Sequence, residues 1–201
     1  MPNTIYLHPP LTNADVEQLQ IGDKVLISGT IYTARDAAHK RLAELLQHGQ
    51  HLPFDMRGQI IYYVGPSPAK PGTPIGSAGP TTSYRMDPYT PMLLDAGLKG
   101  MIGKGPRGQM VIEAMVRNKA VYFAAIGGAG VVMAKAVQAA KIIAYADLGA
   151  EAIWELHVEH FPCFVANDVR GNDIYTEAVN MYRIEECQSG ALAAKATLSY
   201  S

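Results

Sequence analysis

The sequence predicts an α/β fold, with a sheet covered by helices on at least one face. Three observations carry this. Runs rich in β-branched and aromatic residues (24–34, 59–65, 120–127) have the composition of strands. Runs with a helical apolar period, beginning at Asp36 and again at Gln109, alternate with them. The length of 201 residues, 48% of them hydrophobic, suffices for one substantial core, so 1–201 reads as a single domain.

In chain order, residues 1–20 read as an N-terminal arm stopped by Pro9-Pro10, with a short helical stretch begun by Thr12-Asn13-Ala14-Asp15. KVLISGTIYTA (24–34) is a strand in which Gly29 marks a bulge. Ala37, Ala38, Leu42, Leu45 and Leu46 then fit one face of a helix ending near His48-Gly49. QIIYYVG (59–65) is a second strand, followed by PSPAKPGTPIGSAGP (66–80), a loop dense in Pro and Gly. Loops of that length in compact domains are usually functional or disordered. Next come a short helix (87–96), a strand in LKGMIGKG (98–105), a helix over Gln109–Asn118 and the strand AVYFAAIG (120–127). GGAG (127–130) reads as a tight connection into a helix rather than a dinucleotide fingerprint, since it does not fit G-x-G-x-x-G. IIAYADL, a strand near CFVANDV (163–169), a turn over Arg170–Asp173 and a C-terminal tail (176–201) complete the chain.

A formal net charge of -1 argues against a nucleic-acid partner recruited by bulk positive charge. Cys163 and Cys187 neither staple a secreted miniprotein nor make a four-ligand zinc site, which fits a cytoplasmic protein with reduced thiols. The N-terminus shows no secretory pattern. The longest charge-free apolar run, Ala120 to Ala134, is too short and too interrupted by glycine to cross a membrane.

Three stretches invite chemistry. In TARDAAHKR, Arg35 falls at a strand end and Asp36 at a helix start, where a carboxylate suits the helix dipole. Asp36 and His39 are three apart, so the acid could orient the imidazole; the plainer reading is a capping Asp and a surface His. In GPTTSYRMD, a helix capped by Thr81 or Thr82 would present free N–H groups to an anion, with Arg85 adding a guanidinium fork. The plainer reading there is a cap and a solvated arginine. GMIGKGPRG resembles a phosphate loop only superficially, because Gly105 rather than Ser or Thr follows Lys104. Arg35, Arg85 and Lys104 all fall at or after strand ends, which in open α/β sheets face one crevice. Three cations there suit a small dicarboxylate.

On these residues the chain resembles a known family. GTIYTARDAAHKRL, SAGPTTSYRMDPYTPMLL, GLKGMIGKG and YADLGAEAIWELHVEHFP are similar to the C-terminal part of the iron–sulfur fumarate hydratases, from about residue 20 to about 175. That part occurs fused or as the β subunit of two-subunit fumarases and L-tartrate dehydratases. The resemblance implies a swivelling β/β/α architecture with a mixed sheet and flanking helices. It implies a hydro-lyase that interconverts fumarate and malate, or converts tartrate to oxaloacetate, with a four-iron, four-sulfur cluster as Lewis acid. The family's cluster cysteines lie on the other domain or subunit, so the expected partner is a cluster-bearing α subunit. Two cysteines are too few to hold such a cluster on this chain. By the same resemblance Arg35, Arg85 and Lys104 hold the substrate carboxylates and Thr81 is the base, with Asp36 and His39 as further candidates for proton handling. Between Thr81 and His39 the sequence does not decide. SYRMDPYTPMLL and GLKGMIGKG lean towards fumarate over tartrate. The rival of another class is a non-catalytic dicarboxylate-binding module.

Overall fold

The computed structural model describes residues 4–125, 130–177 and 179. Four parallel strands, β2 (Lys24–Thr33), β3 (Ile60–Tyr62), β4 (Gly100–Gly103) and β5 (Val121–Ala124), lie side by side in that order. A 15-residue strand, β7 (Ile153–Asn167), runs antiparallel to both β5 and β2 and closes these strands into a five-membered ring. Closure leaves no open edge among the ring strands. Two strands attach outside the ring: β1 (Thr4–Leu7), parallel to the first half of β2, and β6 (Val137–Ala144), antiparallel to β7.

The period-two alternation of the strands separates two cores. Ile60, Tyr62, Ile102, Val121 and Phe123 join Val25, Ile27, Phe161 and Cys163 in one cluster that draws on every ring strand. Their neighbours Ile61, Tyr63, Met101 and Tyr122 face the other way. There they pack under α2 (Asp36–Gln47), α3 (Thr90–Asp95) and α4 (Gln109–Asn118) through Ala38, Leu42, Leu93, Leu94, Val111 and Met115. The mixed sheet with flanking helices is the fold class expected from the sequence.

The bulge expected at Gly29 is present as a register shift against β7, with φ at +122°. Within residues 1–20, Thr4–Leu7 is a sheet strand, and the helical stretch expected from Thr12 is α1 (Asn13–Glu17), with a full capping box between Thr12 and Asp15. Leu7, Leu11, Val16 and Leu19 are buried, so apolar burial ties this segment to the body. The strand expected near CFVANDV is the end of β7, whose first ten residues the sequence reading left unassigned. Residues 127–129 of the GGAG connection, and 178 and 180–201 of the expected tail, lie outside the described residues; α5 (Gly130–Lys135) follows the former.

Candidate active site at the carboxyl edge of the parallel strands

Because β2 to β5 are parallel, their carboxyl ends share one edge, and the segments singled out in the sequence meet along it. Arg35 lies two residues past the end of β2. The Thr81 N–H donates to the Tyr63 carbonyl just past β3 (2.7 Å). Thr82 forms a parallel bridge with Lys104 just past β4, and the Ser83 N–H donates to the Lys104 carbonyl (3.0 Å). The long loop thus returns between the ends of β3 and β4. The Tyr62 hydroxyl, donating to the Ala78 carbonyl, helps to hold it there.

Asp36 joins two of the cations. Arg85 Nε lies 2.9 Å from Asp36 Oδ1, and Arg35 Nη2 lies 3.7 Å from Oδ2. Arg35 Nη2 also sits 3.3 Å from Oε1 of Glu151, whose other oxygen accepts from the Ala37 N–H (3.1 Å). Glu151 therefore satisfies a backbone donor at the start of α2 while holding Arg35, a function no local pattern at residue 151 announces. Arg85 remains 45% exposed, and Lys104 is exposed with no ion pair among the described residues. The edge gathers three cations against two carboxylates.

Two local expectations fail. Thr82 precedes a four-residue 3-10 helix, Ser83–Met86, and makes no side-chain cap; the next α-helix begins only at Thr90. The Ser83 N–H is spent on the Lys104 carbonyl, so it forms no part of a helix-end nest. His39 is not oriented by Asp36 and is not on the surface. It is fully buried, with Nδ1 3.0 Å from the Arg35 carbonyl and its ring against Tyr63 at 5.2 Å, so the Nδ1 proton donates to that carbonyl. Nε2 has no hydrogen-bond partner among the described residues.

Burial pushes the His39 imidazole down to about 4. The fold therefore favours the neutral ring, and the unfolded chain takes up the proton first as pH falls. The contribution is fully present above the ordinary imidazole value of about 6.5 and is lost as pH falls from there through about 4. Urea midpoints across that window are expected to drop in the wild type and to drop less in His39→Gln. Equal slopes would show that His39 does not carry the acid sensitivity.

Sequence reasoning missed a buried pair beside this edge. Arg107, only 5% exposed, donates from Nε to Asp87 Oδ1 (2.8 Å), from Nη2 to Thr90 Oγ1 (2.9 Å) and from Nη1 to the Tyr63 hydroxyl (3.2 Å). Asp87 Oδ2 accepts from the Gly108 N–H (2.7 Å). The signal available was two opposite charges, each three or fewer residues beyond a candidate ligand: Asp87 after Arg85, and Arg107 after Lys104. Gly103 has its own reason: a Cβ there would lie 2.0 Å from Ser83 Oγ and 2.9 Å from the Tyr63 ring, so the two loops interlock only over a glycine.

Among the described residues no cluster of three or more His, Cys, Asp or Glu could hold a metal ion, and the Cys163 thiol is buried in the core. No described helix is long and apolar enough to cross a membrane.

Closed ring, flanking helices and cation-bearing carboxyl edge define the class: a mixed α/β domain with its charged residues gathered at one end of the parallel strands. Residues 2–178 match the family described as Fumarase C-terminus, and the chain belongs to that family. It is 39% identical over 169 residues to the anaerobic class I fumarate hydratase of Escherichia coli, a match covering 83% of this chain and 31% of that protein. It is 38% identical over 156 residues to the mitochondrial fumarate hydratase 1 of Leishmania major, covering 77% and 28%. Over 178 residues it is 38% identical to the "Putative L(+)-tartrate dehydratase subunit beta" of Methanocaldococcus jannaschii, covering 86% of this chain and 91% of that one. The chain thus spans about three-tenths of the fumarate hydratases and nearly all of the subunit.

Proposed function

We propose that this chain is the β subunit of a two-subunit iron–sulfur hydro-lyase, in which it binds a four-carbon dicarboxylate and handles one proton. One observation carries the reading. Arg35 and Arg85, fifty positions apart, are brought together on Asp36 at the strand edge that also holds Thr81 and Lys104.

In this proposal Arg35, Arg85 and Lys104 grip the carboxylates, and their positive field stabilises the aci-carboxylate that develops when the neighbouring carbon loses its proton. Thr81 is the proton-handling group. Its backbone is fixed to Tyr63, whose carbonyl accepts the Thr81 N–H. The adjacent cations favour its alkoxide, which takes the proton in dehydration and returns it in hydration. His39 suits that task poorly, because its ring is sealed and its Nδ1 engaged. Asp36, set between two guanidiniums, acts as their counter-ion rather than as an acid.

The residues of this chain do not fit an iron–sulfur cluster, which needs several thiolates; the chain has two cysteines, one of them buried in the core. When bound in the α subunit the cluster would supply Lewis acidity for the departing hydroxyl. Fumarate and malate are the proposed substrates, and a cytoplasmic location accords with a free thiol. The overlap with the tartrate dehydratase subunit supports L-tartrate as the second reading.

The test is to co-express the chain with a cluster-bearing partner, purify the complex anaerobically, and assay fumarate, malate and both tartrates. Fumarate hydration is expected. Turnover of tartrate alone would move the assignment to the second reading. A complex inert on all four, with tight dicarboxylate binding by the isolated chain, would make this a binding module.

A further inference from the structure

We infer that Tyr63 and Arg107 are positioning residues that fix the spacing of Arg35, Thr81 and Lys104, and that neither touches substrate. The inference rests on the proposed function. Tyr63 is fully buried just past β3 and contacts the base of each segment of the edge. Its carbonyl accepts the Thr81 N–H at 2.7 Å. Its ring meets His39 edge-on, and His39 Nδ1 donates to the Arg35 carbonyl at 3.0 Å. The ring passes so close to Gly103 that a Cβ there would lie 2.9 Å away, one residue before Lys104. Its hydroxyl accepts from Arg107 Nη1 at 3.2 Å.

Arg107 extends the frame. Its guanidinium binds Asp87 and Thr90 and lies 5.3 and 5.1 Å from the ring centres of Tyr63 and Tyr122. Tyr122 in turn shares a 2.8 Å hydrogen bond with Ser83 and donates to the Gly105 carbonyl at 2.9 Å. The turn bearing Arg85 and the loop bearing Lys104 are therefore fastened on both sides of their bridge. Burying a guanidinium is costly, and an apolar pair of the same volume often serves stability as well. A buried ion pair between two ligand-bearing loops is better explained by registry: an ångström of drift at a carboxylate clamp costs more than the pair does.

Tyr63→Phe removes one hydroxyl and keeps the ring. In the complex assembled with its cluster-bearing partner, this variant is expected to raise the KM for fumarate about fivefold with kcat nearly unchanged, because a displaced clamp weakens ground and transition states alike. Arg107→Lys keeps the charge but loses the fork, and is expected to raise KM further. Loss of stability alone lowers the amount of folded enzyme and the melting temperature, but leaves the KM of each intact site where it was. Should Tyr63→Phe not assemble, Arg107→Lys carries the test. A KM within about twofold of wild type, whatever happens to the melting temperature, overturns the inference. A wild-type complex inert on fumarate and tartrate overturns the proposed function first, and this inference with it.

Discussion

Arg85→Ala in the assembled complex is expected to lower kcat/KM for fumarate by about two to three orders of magnitude, the scale of losing a charged partner worth about 3–4 kcal/mol. Its melting temperature is expected to stay near that of the wild type. The two readouts separate because of where Arg85 sits. Its side chain is 45% exposed and its one ion pair among the described residues is to Asp36, itself only partly buried, so the fold loses little. The site loses the only guanidinium contributed by the returning loop, and Asp36 is left facing Arg35 alone. An incoming carboxylate then meets one fewer cation and a carboxylate whose charge is less completely offset. Lysine at 85 should recover part of the loss, since it restores the charge without the planar fork. Kinetics of Arg85→Ala indistinguishable from wild type would remove this residue from the site.

The opposite pattern is expected for Arg107, the ion-pair partner of Asp87 two residues along the same turn. Arg107→Ala leaves Asp87 with its charge part-buried and only the Gly108 N–H to meet it, and strips partners from Thr90 and Tyr63. Breaking one side of a buried pair costs about 3–5 kcal/mol. In a chain of this size that is a fall of roughly 6–20 °C in melting temperature. Thermal unfolding of the isolated full-length chain measures it without any partner. A drop of less than about 2 °C would mean that the pair contributes almost nothing net, as happens when desolvation cancels the attraction. Two arginines beside the same strand edge would thus fail in different ways, Arg85 in catalysis and Arg107 chiefly in cohesion.

Much of this was legible in the sequence, for identifiable reasons. α2 and α4 fall where the apolar period placed them, because a helix buries one stripe and that stripe is local. The strands β2 to β5 were visible as short apolar runs because parallel strands bury both faces. β7 was not. Its stretch ELHVEH alternates charged and apolar side chains, and it meets Pro162 before the recognisable CFVAN. Only its pairing with β2, more than 120 positions earlier, makes it one strand. The site divides in the same way. Arg35, Arg85 and Lys104 could be picked out because each stands at an element boundary. The burial of His39 beneath Arg35 and the grip of Glu151 on the start of α2 are tertiary facts, which no spacing along the chain encodes.

The late position of β7 bears on how the protein is made. Until residue 167 has left the ribosome, β2 and β5 have no neighbour on their outer sides, and two runs of unpaired amide and carbonyl groups stand open to other nascent chains. Pairing between such distant stretches is also slow to form. Productive biogenesis therefore depends on the final third of translation, and a message truncated before that point would yield a sticky half-sheet instead of a smaller working subunit.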